Sequence, residues 1–220
     1  MSITDKRIIE FLDSFYSPIN GELARLRQKC EDDNVPLILR ETESYLNTFL
    51  KITKPKDILE IGTAYGYSAC YFATACEDSH VTTIERAPHM YRNAVSNIEA
   101  MKLSDRINVR FGDANDILDS IIGDNSRDSD FDLIFIDAAK SHYREFFDRA
   151  EKLARPGASI VCDNMLIHGY LTGSTVDPGH RHRTSVKRMK EFLEYLNGRK
   201  DLTISLLSCG DGLSIVKLDD

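Results

Sequence analysis

The chain has 220 residues, of which 42% are hydrophobic and 29% charged, and its formal net charge is −7. That is the size of one domain with an ordinary core, and it excludes a stapled mini-protein: Cys30, Cys70, Cys76, Cys162 and Cys209 are scattered and form no Cys-x-x-Cys pair. No apolar run reaches the length of a membrane span and residues 1–7 hold no signal core, so a soluble, cytoplasmic protein is expected; the acidic balance speaks against DNA binding and against RNA binding over the whole surface.

In chain order, helices come first. Apolar residues recur at helical spacing over 6–15, Ser17-Pro18 breaks the pattern, and helices over 21–33 and 37–52 follow, divided by Val35-Pro36. Residues 1–52 read as a helical extension of a single domain spanning 1–220. Covering a cofactor, binding substrate and forming a dimer seam are all open roles for it.

From residue 57 strands alternate with helices. Strands are expected at 57–61, 81–84, 107–111, 131–136 and 158–162, with helices at 67–76, 88–101, 113–122, 141–153 and 183–197 and a polar loop at 123–130. Two final strands, 202–207 and 213–218, flank the turn Ser208-Cys209-Gly210-Asp211-Gly212. This alternation predicts an α/β, Rossmann-like fold: a mostly parallel seven-stranded sheet with helices on both faces. The last link is too short for a parallel crossover, so one strand runs antiparallel.

In such sheets ligands bind beyond the carboxyl ends of the strands. Glu60 and Gly62, Glu85, Asp113, Asp137, and Asp163 with Asn164 stand at or just after five successive strand ends. The loop Gly62-Thr-Ala-Tyr-Gly66 lets backbone approach a ligand, but Ala64 and Tyr67 stand where a dinucleotide fingerprint requires glycine or alanine. A ligand with a ribose and no phosphate fits better. Glu85 is placed to accept ribose hydroxyls, Ser68 to donate to a carboxylate at a helix start, and Asp113 and Ala114 to flank an adenine. S-adenosylmethionine has all three parts. A merely tight Gly-rich turn is the plain alternative for the loop.

Asp137, Asp163 and Asn164 offer two carboxylates and an amide oxygen, a donor set suited to Mg²⁺ with positions left for water or substrate. Strand-end turn capping is the plain alternative. An aromatic hydroxyl, with a pKa near ~10, needs such a metal to become a nucleophile at neutral pH. Lys140, three residues after Asp137, is a candidate base if its pKa is lowered, or else a solvated lysine at a helix start.

One stretch departs from the acidic average. Arg181, Arg183, Lys187, Arg188 and Lys190 fall between His180 and Lys190 with no acid among them. They can neutralise phosphates, and the loop over 166–183 could close over an anticodon loop; a solvated helix face is the alternative.

Glu60-Ile-Gly-Thr-Ala-Tyr-Gly-Tyr-Ser68, Phe135-Ile-Asp-Ala-Ala-Lys140, Asp163-Asn164 and Gly210-Asp-Gly-Leu213 resemble the cation-dependent class I O-methyltransferases, which include catechol and caffeoyl-CoA enzymes. The resemblance runs from about Pro36 to the C-terminus. Ser17-Pro18, Val35-Pro36, Lys54-Pro-Lys56 and the basic stretch are most similar to the bacterial tRNA 5-hydroxyuridine methyltransferases. That resemblance implies methylation of a wobble 5-hydroxyuridine to 5-methoxyuridine and a homodimer. It also implies Mg²⁺ or Mn²⁺ at Asp137, Asp163 and Asn164. Cofactor contacts are implied at Ser68, Glu85, Asp113, Ala114 and Asp137, with a backbone contact near Ile38. Ala138-Ala139 stands where small-molecule relatives carry an aromatic residue, which opens the site to a bulkier substrate. The competing functions are a catechol or caffeoyl-CoA type enzyme for small phenols and, disfavoured by the failed fingerprint, a non-catalytic or NAD-type binding domain.

Overall fold

The computed structural model describes residues 5–124, 130–173, 177, 179 and 181–219. The middle of the expected polar loop, part of the loop over 166–183, and His180 lie outside the described residues. The elements are α1 (Lys6–Asp13), α2 (Gly21–Asp32), α3 (Arg40–Thr53), β1 (Asp57–Ile61), α4 (Tyr67–Ala75), β2 (His80–Glu85), α5 (Pro88–Ala100) and β3 (Ile107–Phe111), then α6 (Ala114–Gly123), β4 (Phe131–Ile136), α7 (Tyr143–Leu153), β5 (Ala154–Cys162), α8 (Arg183–Gly198), β6 (Leu202–Leu207) and β7 (Leu213–Leu218).

The strands form one sheet in the order β3-β2-β1-β4-β5-β7-β6. All neighbours are parallel except those of β7, which runs antiparallel to both β5 and β6. The short turn after β6 forces this: it closes a hairpin with Leu207 opposite Leu213 and drops β7 into the gap beside β5. The expected Rossmann-like sheet is therefore present. The order of strand addition reverses between the parallel neighbours β1 and β4, and the crevice at that switch point lies above their carboxyl ends.

Strand parity builds both cores. Ile58, Leu133, Phe135 and Val161 face one side, with α2, α3 and α4. Leu59, Ile61, Ile134, Ile136, Ile160 and Cys162 face the other, with α6, α7 and α8. Leu23, Leu26 and Cys30 of α2 and Leu46 and Leu50 of α3 belong to the first cluster, so most of the extension is part of the core. By contrast α1 buries none of its residues and leaves Ile8, Phe11 and Leu12 exposed, with Phe15 beyond it. In α8, Met189, Phe192 and Leu196 recur at helical spacing and are buried, each burial contributing about 1.5–3 kcal/mol. Among the described residues no helix is long and apolar enough to cross a membrane.

Several boundaries differ from expectation: α3 starts at Arg40 rather than at 37, and three more lie close to the sheet's strand ends or its register. Asp113 is the cap of α6 rather than its first residue, its carboxylate accepting from the Asn115 amide. The helix expected from 141 opens as a 3₁₀ turn over Lys140–His142, a common way to tighten a helix start. β5 begins at Ala154, with a register irregularity opposite β4 that admits Pro156 and Gly157.

Candidate active site

The β1–α4 loop is fixed by the strands around it. The Gly62 amide donates to the Ile84 carbonyl (3.1 Å) and the Asp137 amide to the Ile61 carbonyl (3.0 Å), locking the ends of β2, β1 and β4 together. Gly66 takes φ +81° and caps α4, a left-handed turn that glycine makes at no steric cost. Glu85 follows directly: its two carboxylate oxygens accept from the backbone amides of Ala64 (2.8 Å) and Ala87 (2.7 Å).

Above these strand ends lies a cavity of about 750 Å³, a size suited to a small-molecule site. Ile38, Gly62, Ser68, Glu85, Asp113, Ala114, Asp137, Lys140 and Asn164 all line it. Glu60, Gly66 and Asp163 do not line it. Gly66 acts through the turn. Ile38 lines the wall, and its carbonyl accepts from the Arg27 guanidinium (3.0 Å).

Glu60 lies behind the loop and is fully buried. The Thr83 hydroxyl donates to its Oε2 (2.5 Å) and also contacts the Thr63 hydroxyl (2.5 Å). Its Oε1 has no hydrogen-bond partner. Burial pushes its carboxyl up to about 8, against the opposing pull of the Ser68 and Thr83 hydroxyls.

At the other end of the cavity, the Lys140 ammonium donates to Asp137 Oδ1 (2.9 Å), Asn164 Oδ1 (2.7 Å) and the Tyr143 hydroxyl (3.0 Å). A cation thus already bridges two of the three expected metal ligands. Asp163 stands behind them: its Oδ1 accepts from the Asn164 amide (2.6 Å) and its carbonyl from the Tyr143 hydroxyl (2.7 Å). Burial, reinforced by the charge of Asp137, raises the Asp163 carboxyl. Asn164 adopts φ +55°, a conformation asparagine tolerates better than most residues. Among the described residues no three His, Cys, Asp or Glu side chains cluster as metal ligands, so the set is two carboxylates and one amide. Its all-oxygen chemistry and its grip on a cation fit a hard divalent ion. Burial disfavours the Lys140 ammonium, but Tyr143 and Asp137 outweigh it and the pKa rises.

The basic stretch stands apart. Arg181, Arg183, Lys187, Arg188 and Lys190 are all exposed, and none lines the cavity. Lys187 (3.8 Å) and Arg188 (3.6 Å) both approach Glu191, one turn along α8. Two features escaped the sequence. One is a buried network in which Arg27 contacts Glu43 and the Tyr67 hydroxyl (3.2 Å), while Tyr67 and Tyr16 donate to Glu43 (2.7 and 2.6 Å). The other is His168 on the cavity wall. Its only signal in the sequence is its place four residues after Asn164.

Comparison with known proteins agrees with this site. Residues 16–218 match the sequence pattern of the O-methyltransferase family. A catechol O-methyltransferase from Niastella koreensis is 36% identical over 126 residues, 57% of this chain and only 56% of that protein. A caffeoyl-CoA O-methyltransferase from Populus kitakamiensis is 30% identical over 175 residues, 79% of this chain and 74% of its own length. The crystal structure of an O-methyltransferase from Bacillus cereus in complex with SAH is 27% identical, covers 97% of each chain and superposes with a TM-score of 0.82. Fold, strand-end site and sequence pattern agree: the chain belongs to the O-methyltransferase family and has the fold of the class I enzymes.

Proposed function

We propose that this O-methyltransferase uses S-adenosylmethionine and a divalent cation, Mg²⁺ or Mn²⁺, to methylate the 5-hydroxyl of a wobble uridine in a tRNA anticodon loop. The observation that carries the cofactor is Glu85, a cavity-lining carboxylate at the end of β2 held by two backbone amides, where a ribose diol needs an acceptor. Asp113 keeps one carboxylate oxygen beyond its capping bond for an adenine amine. Ser68, on the cavity wall, suits the amino-acid end. SAH in the Bacillus cereus relative supports the same reading.

Asp137, Asp163 and Asn164 would hold the cation, which when bound favours the oxyanion of the acceptor hydroxyl. The chain's own task is placement: the oxygen must lie in line with the methyl–sulfur bond, and the rigid strand ends supply that alignment.

The tRNA reading rests on the exposed cations of 181–190 on an otherwise acidic chain, where phosphate contacts would form. It includes action in the cytoplasm as a homodimer, in which a second copy would cover the exposed apolar residues of α1. The second reading is a small phenol or phenolic thioester as acceptor, favoured by the Niastella and Populus relatives. Labelled S-adenosylmethionine with Mg²⁺ and either 5-hydroxyuridine-bearing tRNA or catechol and caffeoyl-CoA decides between them. Label in tRNA supports the first reading, and label only in the phenols overturns it.

A further inference from the structure

We propose that Arg27 is a positioning residue of this enzyme: by joining Ile38 to Tyr67 it sets one wall of the cavity, and with it the affinity for S-adenosylmethionine. This rests on the cofactor reading above but not on which hydroxyl is methylated.

That wall comes from two separate parts of the chain. Pro36, Leu37, Ile38 and Leu39 line the cavity from the link between α2 and α3. The link is neither helix nor strand, so no regular backbone ladder fixes its place. Tyr67 and Ser68 line the cavity from the first turn of α4, just beyond the Gly66 turn. Arg27 of α2 touches both parts. It is buried, 6% exposed, and does not line the cavity itself.

The planar fork of Arg27 is engaged on every nitrogen. One terminal nitrogen donates to the Ile38 carbonyl (3.0 Å) and contacts Glu43 Oε2, and Nε donates to the Tyr67 hydroxyl (3.2 Å). The other terminal nitrogen lies 3.5 Å from Glu31. The guanidinium carbon also sits 4.7 Å from the centroid of the Tyr67 ring. Glu43 of α3 ties the same parts from the other side. Its carboxylate accepts from Tyr67 (2.7 Å) and Tyr16 (2.6 Å), and its carbonyl from the Tyr71 hydroxyl of α4 (2.8 Å). Burial opposes the Arg27 charge, but Glu43 and Tyr67 outweigh it, so the fork stays charged.

A buried ion pair is a poor source of stability, because desolvation offsets its attraction. What it does supply is geometry. Bonds from one rigid plane fix the Ile38 carbonyl, the Glu43 carboxylate and the Tyr67 hydroxyl relative to one another. A lysine ammonium is a point charge on a flexible stem and cannot hold that plane. Without the fork, the 36–39 link and the start of α4 lose their mutual register, and the cofactor meets a wall it no longer fits.

Calorimetric titration with S-adenosylhomocysteine and urea unfolding, run on the same variants of the whole chain, separate positioning from stability. Arg27→Met combined with Glu43→Gln strands no buried charge, so it should unfold near wild type. Its Kd for S-adenosylhomocysteine and its KM for S-adenosylmethionine should rise about tenfold, with kcat at saturating cofactor within about twofold of wild type. Arg27→Lys should keep native stability yet recover only part of that affinity. Tyr67→Phe deletes one hydroxyl and keeps the ring, and should weaken S-adenosylhomocysteine binding about two- to tenfold. Wild-type affinity in the double variant, full recovery with lysine, or a fall in kcat with KM unchanged overturns the proposal. If the double variant does not fold, Tyr67→Phe decides, and unaltered binding in it overturns the proposal. A wild-type enzyme that binds no S-adenosylhomocysteine overturns instead the cofactor reading.

Discussion

Gly62 ends β1 against the main chain of Asp137: a Cβ at Gly62 would lie 2.0 Å from the Asp137 carbonyl oxygen and 2.9 Å from its carbonyl carbon. The glycine also takes φ +105°, so both space and conformation exclude a side chain. Gly62→Ala is expected to cost about 3 kcal/mol or more, read by chemical denaturation. Because the loop must swing away from β4, calorimetry should show weakened cofactor binding as well. A variant of native stability and affinity would contradict the packing.

Asp137→Ala should remove activity and metal response together. The carboxylate lines the cavity and shares a cation with Asn164. Its loss is expected to lower turnover by about two orders of magnitude or more and to weaken Mg²⁺ binding measured by titration calorimetry. Undiminished turnover of the wild-type enzyme in chelator would refute the metal's role.

Glu60 makes stability depend on pH. Its carboxyl is raised from an ordinary 4.5 to about 8 by burial, so the folded state favours the protonated form. The stability it contributes is present below pH 4.5 and is lost as pH rises through about 8. The slope from this one group is at most about 1.4 kcal/mol per pH unit. Urea unfolding of the cofactor-free enzyme at several pH values should show that decline, and Glu60→Gln should flatten it. An unchanged slope in the variant would assign the decline elsewhere.

Replacing Lys187 and Arg188 with serine should raise KM for tRNA about tenfold and reduce the salt dependence of binding, by about one unit of slope per lost phosphate contact. Cofactor affinity should be untouched, since neither residue lines the cavity. Unaltered tRNA affinity would leave the stretch as a solvated helix face, partly neutralised by Glu191.

Much of the fold is legible because β1, β4 and β5 are apolar runs that end in acids or glycine, and because the turn after β6 is too short for a crossover. Glu60 shows where such reading stops. Adjacency to the glycine loop suggests a wall residue, but strand parity puts it on the same face as Ile58, behind the loop. Charge counting over 180–190 finds the basic stretch yet misses Glu191, which meets two of its cations only once the helix winds. His168 and Asp211 are 43 positions apart and become partners only through the β6–β7 turn. Local pattern carries no trace of that pairing.

Arg27 joins α2 to the Ile38 carbonyl, to Glu43 of α3 and to the Tyr67 hydroxyl at the first turn of α4. Arg27, Glu43 and Tyr67 therefore form a unit of inheritance that straddles the boundary between the helical extension and the core. A chimaera that exchanges residues 1–53 between relatives to alter acceptor choice must move position 67 with them. Without it, a guanidinium and a carboxylate would be stranded against a foreign helix start, and the cofactor loop would be unseated by a graft that never touched it.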